Sequence, residues 1–279
     1  MDAWLQALLL GIVQGLTEFL PVSSSGHLVL TQEIFGEDFE FKDMKVAFDL
    51  VLHVGTLLPV LYFYRRDIGK ILAGFVDGNP FSFPGGPIAW LKADPSRWLA
   101  IAVVVGTIPT GLMGILLKDY FETIFHDARA VCIALLVTGG LLLSTKFFGQ
   151  GERQTRPLTL GLALIIGIAQ GFAITPGISR SGSTIAMALL LGLDRDSAAR
   201  FSFLLSIPAI LGAAVLVGKD GVAIPPGSGL ALGVGFLASM LVGYAALVML
   251  VALVRRGGLH NFTWYLWPAA IIGLVVTAT

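Results

Sequence analysis

The sequence predicts an all-α integral membrane protein built as an inverted-topology repeat, each half a re-entrant helix–loop–helix followed by three transmembrane helices. Three observations predict it. Of 279 residues, 56% are hydrophobic and only 13% are charged, with a mean hydropathy of +0.85, a composition foreign to water-soluble domains. Six stretches are apolar enough to cross a bilayer, which takes about 20 residues. One unusual block, broken by proline, glycine and serine, also occurs twice.

Taken in order, the chain opens with an apolar run at 3–17. It has the hydrophobicity of a leader but no basic residues ahead of it, and it begins at Asp2, so no cleavage is expected. It runs directly into "PVSSSGHLVL" at 21–30, and the hairpin is placed at about 3–32. Spans follow at 46–64, 98–117 and 130–145, the last extended by Lys146, whose long stem can reach the interface. A second hairpin is expected at about 158–193, then spans at 201–218, 227–254 and 261–279. The whole of 1–279 is read as one membrane domain, with repeats at 1–156 and 157–279.

The duplication rests on a gapless match. Residues 11–26, "GIVQGLTEFLPVSSSG", align with 167–182, "GIAQGFAITPGISRSG", and seven of sixteen positions are identical. Proline removes a backbone donor and glycine loosens the helix. Irregular backbone at membrane depth survives only where protein or water surrounds it, so each copy reads as a re-entrant loop, the alternative being an ordinary kinked span. Three crossings per half is an odd number, which brings the second hairpin in from the opposite face, with the two tips near the midplane.

Charge orients the assembly. On this topology twelve Lys and Arg residues gather on one face, including Arg65, Arg66, Lys70, Arg195, Arg255 and Arg256. Five fall on the other, namely Lys42, Lys45, Lys118, Arg129 and Lys219. The richer face is expected in the cytoplasm. Both termini and the mouth of the first hairpin then lie outside, and the loop 65–97 inside. Trp4, Trp98, Trp264 and Trp267 suit the interfacial belt.

Other classes drop out. Formal net charge is zero, which leaves no basic footprint for nucleic acid. A single cysteine, Cys132, excludes a disulfide framework or a thiolate metal site. Lipids and small ions remain as partners. "GEDFEFKD" at 36–43 reads as a solvated charge run, and His126, His260, Glu33, Glu37, Asp38 and Glu40 as ordinary loop or interface residues.

If the tips converge, they gather Glu18, Ser23, Ser24, Ser25 and His27 with Ser179, Arg180, Ser181, Ser183 and Thr184. Ionisable groups at that depth mark a functional site by default. Arg180 offers a planar fork of donors for phosphate oxygens. Around it, "SRSGST" supplies hydroxyls, a glycine and a helix N-terminus, the parts of a phosphate cradle. Satisfying unwound backbone is the competing role for Ser179 and Ser181. Glu18 follows Gln14 by four residues and shares its face; together they could hold a hard divalent ion, or Glu18 could simply pair with Arg180. His27 could be general base, general acid or nucleophile, or a hydrogen-bonded packing residue. Asp49 and His53 form a further i,i+4 pair, either an outer support or proton route for the site or an internally satisfied pair.

The strings "QGLTEFLPVSSSGHL" and "PGISRSGSTIA", with "FDLVLHVGTLLPV" and "FSFLLSIPAILGA" after them, resemble the bacterial undecaprenyl-diphosphatase family, also called bacitracin-resistance proteins, over essentially the whole chain. The resemblance implies a phosphatase of the cytoplasmic (inner) membrane. It would convert undecaprenyl diphosphate to the monophosphate carrier lipid of cell-wall synthesis, at a site open to the periplasm and supplied with Mg²⁺ or Ca²⁺. The family's first motif carries Glu or Gln, then Glu four residues on; here these are Gln14 and Glu18, so a two-carboxylate metal site does not transfer. Its serines and histidine fall on Ser23, Ser24 and His27. Its second motif falls on Pro176, Gly177, Ser179, Arg180, Ser181 and Thr184 without departure, and Ser25 and Gly26 complete the phosphate-binding set.

Three routes to hydrolysis stay open from sequence: Ser24 attacks with His27 as base, His27 attacks directly, or an activated water attacks. The expected partners are undecaprenyl diphosphate and membrane lipids, and a homodimer is admissible. The alternative function is a polyprenyl-phosphate transporter or flippase using the same midplane site, since inverted repeats with broken helices are also a transporter architecture.

Overall fold

A computed structural model describes residues 2–36, 39–41, 44–76, 80–81, 83–125, 127–148, 156–219 and 227–277. His126, Glu37 and Asp38 lie outside the described residues. Within them the chain forms thirteen α-helices and no strand. The first half holds α1 (Ala3–Phe19), α2 (Ser24–Phe35), α3 (Lys45–Phe63), α4 (Arg65–Val76), α5 (Gly86–Ala93), α6 (Pro95–Leu116), α7 (Lys118–Phe125) and α8 (Ala128–Phe148). The second holds α9 (Leu160–Phe172), α10 (Arg180–Leu190), α11 (Arg195–Lys219), α12 (Gly229–Arg255), a 3-10 turn at Leu259–Phe262 and α13 (Thr263–Val276).

Six helical stretches among the described residues are long and apolar enough to cross a membrane: Lys45–Phe63, Pro95–Leu116, Ala128–Phe147, Arg195–Leu216, Gly229–Arg255 and Leu259–Val276. They coincide with the six spans read from sequence. The chain is therefore a multi-pass membrane protein. The hairpin arms are shorter: α2 has 12 residues and α10 has 11. At about 1.5 Å per residue, neither covers a hydrocarbon core of roughly 30 Å.

The breaks have local causes. Pro21 follows the end of α1, and Val22 N turns back to Leu20 O at 2.7 Å. Ser23 then caps α2 by accepting from Gly26 N at 3.3 Å. In the second copy, Ser179 caps α10 by accepting from Gly182 N at 3.1 Å. The same device recurs at equivalent positions, and each hydroxyl satisfies a backbone donor that the interrupted helix leaves free.

The halves interlock by exchange. Helix α1 packs chiefly on α12 of the second half, and α9 chiefly on α6 of the first. Equivalent glycines make both contacts: a Cβ on Gly11 would strike Gly235 and Ala238, and one on Gly167 would strike Gly106. Small residues let the backbones approach, the packing that replaces hydrophobic drive within a membrane. Thr110 Oγ1 adds a hydrogen bond to Gly167 O at 3.0 Å. Apolar side chains at Val104, Ile108, Leu112 and Ile115 of α6 stay exposed, as befits a lipid-facing wall.

The run at 36–43 is not uniformly solvated. Phe39 and Phe41 are buried, and Phe41 stacks on Phe48 of α3 with ring centroids 4.2 Å apart. The phenylalanines plug a second core cluster with Leu10, Leu28 and Leu52; alternation with acids hid their burial in the sequence. Of the tryptophans, Trp264 is exposed, whereas Trp98 and Trp267 spend their ring N–H on Leu158 O and Leu136 O.

Candidate active site

The two breaks meet. Gly177 N donates to Ser23 Oγ at 3.0 Å, directly linking the loops. Ser181 Oγ reaches Leu20 O at 3.5 Å, and Gly26 abuts the Gly177 backbone. Gly177 has φ +94°, and a Cβ there would run into the Val131 carbonyl and Ala134, so only glycine fits. The second loop is clamped by α8: Thr138 Oγ1 donates to Gly177 O at 2.8 Å and accepts from Ser179 N at 3.1 Å.

Beside the junction lies a cavity of about 710 Å³. Glu18, Ser23, Ser24 and Ser25 line it from the first loop, Ser179 and Arg180 from the second, and Asp49 and His53 from α3. Ile174, Ile178, Ile210 and Leu50 give much of the rest of its wall an apolar character. Lys45 and Phe125 also line it, so it extends toward the start of α3 and the end of α7.

Glu18 is the hub. Its side chain is 4% exposed, and Oε1 is paired with Arg180 Nη2. Oε2 accepts from Ser24 Oγ at 2.6 Å and from Gln14 Nε2 at 2.8 Å, with His53 Nε2 3.6 Å away. His53 Nδ1 donates to Asp49 O at 2.8 Å, since a carbonyl can only accept. Asp49 Oδ1 accepts from Gln32 Nε2 at 2.8 Å. Asp49 and His53, read from sequence as an outer support or proton route for the site or as an internally satisfied pair, both line the cavity.

Other residues fall outside it. His27 does not line the cavity: its Nδ1 donates to Ser23 O at 2.8 Å, and its Nε2 meets Tyr265 Oη at 2.7 Å. Thr184 is buried behind the second loop, hydrogen-bonded to Ser202 and to Arg180 O. Ser181 shares a hydrogen bond with Ser179 at 3.3 Å. Gln14 sits behind Glu18, fully buried. Thr138 and Tyr265 were invisible to motif reading because each lies in an otherwise ordinary apolar span.

Buried polar atoms that lack a hydrogen-bond partner among the described residues include Arg180 Nη1 and Gln170 Oε1 in the cavity wall, and Gln14 Oε1 behind Glu18. A donor and an acceptor left bare at such depth are costly unless a ligand completes them. The arginine calls for anionic oxygen, and an amide oxygen fits a hard cation. Among the described residues no group of three or more His, Cys, Asp or Glu could hold a metal by itself.

Known proteins match nearly the whole chain in sequence. The family model described as bacitracin resistance protein BacA covers residues 7–272. An undecaprenyl-diphosphatase of Methanosphaera stadtmanae is 42% identical over 98% of both chains. Those of Korarchaeum cryptofilum and Carboxydothermus hydrogenoformans are 44% and 43% identical, the first over 97% of both chains and the second over 98% of this chain and 97% of its own. With its two broken-helix motifs joined around one cavity, the chain belongs to the bacitracin resistance protein BacA family.

Proposed function

We propose that the chain hydrolyses undecaprenyl diphosphate to undecaprenyl phosphate and inorganic phosphate, recycling the carrier lipid of cell-wall synthesis and thereby conferring bacitracin resistance. The observation that carries this reading is the Ser24 hydroxyl, hydrogen-bonded to Glu18 at 2.6 Å beside an arginine with an unpartnered donor. A nucleophile, a proton acceptor and an anion binder share one wall. Binding and transport of a lipid phosphate need only the last of these.

In this mechanism Arg180 Nη1, with the cap of α10, receives the terminal phosphate. Ser24 Oγ attacks its phosphorus as Glu18 takes the hydroxyl proton. The anhydride P–O bond breaks, and undecaprenyl phosphate leaves with the bond's electron pair. Water then attacks the phosphoserine phosphorus; the P–Oγ bond breaks, Glu18 returns its proton to Ser24 Oγ, and inorganic phosphate leaves with the water's oxygen. Little covalent work falls to the protein beyond this; position and charge supply most of the acceleration. The isoprenoid chain follows the apolar wall past Ile174 and Ile210 toward lipid.

A divalent cation, Mg²⁺ or Ca²⁺, fits as a companion of the substrate. Glu18 and Gln14 Oε1 would hold it, both being oxygen donors of the kind hard cations take. When bound it would neutralise charge on the diphosphate.

The proposed setting is the bacterial cytoplasmic membrane, with inverted repeats, the cavity open to the exterior and both termini outside. On the topology read from sequence, cavity-lining Lys45 and Phe125 belong to the face with fewer basic residues, which supports that orientation. The test is phosphate release from undecaprenyl diphosphate by purified protein in detergent with Mg²⁺. Folded, lipid-binding protein without release would replace this reading with lipid-phosphate transport.

A further inference from the structure

We infer that Tyr265 is a positioning residue for the reaction, acting through His27 to hold Ser23 in a strained backbone conformation that aims Ser24 into the cavity. This rests on the phosphatase reading above and assigns His27 a mechanical role in place of a chemical one.

The inference starts from Ser23. It is the only non-glycine with positive φ among the described residues, at φ 69° and ψ 99°. Such a conformation is costly for a residue with a Cβ and persists only where its surroundings over-determine it. Ser23 immediately precedes the proposed nucleophile, so relaxation of this peptide would swing Ser24 away from Glu18. Three contacts hold Ser23 by its side chain: it accepts from Gly177 N and Gly26 N, and shares a hydrogen bond with Ser25 Oγ at 3.3 Å. Among the described residues its carbonyl is held by His27, once by the backbone N–H at 3.1 Å and once by the ring Nδ1 at 2.8 Å.

The ring is itself fixed. With the proton on Nδ1, Nε2 carries a lone pair, which accepts from Tyr265 Oη at 2.7 Å. The two rings stack, with centroids 5.7 Å apart and planes at 17°. Both nitrogens are therefore occupied, and neither points to the cavity wall, which His27 does not line.

Tyr265 stands on a rigid support. Two residues before it, Thr263 Oγ1 donates to Gly139 O at 2.9 Å; two after it, Trp267 Nε1 donates to Leu136 O at 3.1 Å. Both acceptors belong to α8, which also carries Thr138, the clamp on the second loop. One helix thus registers both loops, the second directly and the first through α13, Tyr265 and His27. A hydroxyl in the second repeat sets the geometry of a nucleophile in the first.

The experiment compares wild type, Tyr265→Phe, His27→Asn, His27→Ala and the double variant H27N/Y265F, as full chains in detergent, by phosphate release against substrate concentration and pH. Asparagine places an amide donor near the position of Nδ1 but cannot reach Tyr265. The expected results are a fall in kcat of about 3- to 10-fold with unchanged KM for Tyr265→Phe, the scale of one lost hydrogen bond. His27→Asn should fall similarly and keep the wild-type pH profile. The double variant should be no worse than His27→Asn, because both changes cut the same chain, while His27→Ala falls much further. If active wild type is accompanied by His27→Asn as inactive as His27→Ala, or by a lost limb of the pH profile, His27 does chemistry and the inference is overturned. Unchanged kcat in Tyr265→Phe also overturns it. Wild type that releases no phosphate overturns the phosphatase reading and this inference together. Should His27→Ala fail to fold, Tyr265→Phe, His27→Asn and the double variant still decide.

Discussion

Ser24 donates its hydroxyl to Glu18 at 2.6 Å across the break between α1 and α2. The bond pairs a nucleophile with an acceptor that Gln14 and Arg180 hold from either side. Ser24→Ala and Glu18→Gln should each lower phosphate release by ~10²-fold or more, the usual scale for losing a general base or its partner. Combined, they should cost little more than either alone, because residues acting as one unit are not additive. Kinetics of the four proteins check this. A phosphoserine trapped at Ser24 by rapid acid quench and located by mass spectrometry would identify the intermediate.

Arg180 should not tolerate lysine. Its Nη2 is committed to Glu18 while Nη1 is bare, and a single ammonium cannot reproduce a planar fork serving two partners. Arg180→Ala should reduce turnover by ~10²–10³-fold, as for removal of one donor to a developing charge. Arg180→Lys should recover only a small part. Arg180→Ala should also fold less stably, since Glu18 is left buried without its ion-pair partner.

Much of this was legible in the sequence, for reasons visible in particular residues. Spans announce themselves by length and composition, and the loops announced themselves by repetition: Ser23 and Ser179 recur because both copies need the same cap. The meeting of Glu18 with Arg180 followed from the convergence of the tips. Side-chain direction did not follow. His27 is three residues from Ser24 in the motif, yet its ring turns back to Ser23 O and outward to Tyr265, whereas His53, in a plain apolar span, faces Glu18. Periodicity tells which residues share a face of one helix; which neighbour that face meets depends on tertiary packing. Thr138 illustrates the same limit, since a threonine in an apolar helix carries no sign that a foreign loop rests on it.

Gln14 gives a handle on the cation. Replacing it by glutamate puts a second carboxylate one turn from Glu18, buried at the depth where Gln14 is fully enclosed. Without metal, Gln14→Glu should melt lower than wild type, because two like charges share a dry site. With Mg²⁺ it should gain more stability than wild type, by the linkage of ligand binding to folding. Half-maximal activity should also come at roughly tenfold lower Mg²⁺, an added hard ligand raising affinity. Thermal melts and activity across a Mg²⁺ titration, with an EDTA arm, measure both effects. Identical responses from the two proteins would remove Gln14 as a protein ligand of the cation.

Orientation can be read by labelling. Cys132 is buried, so background reaction is low. Tyr120→Cys on α7 and Leu72→Cys on α4 place exposed thiols on the opposite faces assigned by charge. In intact cells an impermeant maleimide should label the first and spare the second, with both labelled after permeabilisation. The reverse pattern would turn the cavity toward the cytoplasm.

The clamp on the second loop predicts a stability effect separable from chemistry. Thr138 Oγ1 serves two backbone groups, Gly177 O and Ser179 N, in a buried setting. Valine keeps the shape and removes both bonds, leaving a carbonyl and an amide without partners, at about 1–3 kcal/mol for each buried group. Serine keeps the hydroxyl. Thr138→Val should therefore lower the unfolding midpoint markedly while Thr138→Ser shifts it little. Gly177→Ala should be at least as damaging as Thr138→Val, since it forces a Cβ into the Val131 carbonyl at a backbone angle of +94°. Because α8 carries this clamp and also anchors the helix bearing Tyr265, loosening by Thr138→Val should lower kcat as well as stability. A Thr138→Val protein with a lowered midpoint and wild-type kcat would confine α8 to holding the loop, with no part in setting the reacting geometry.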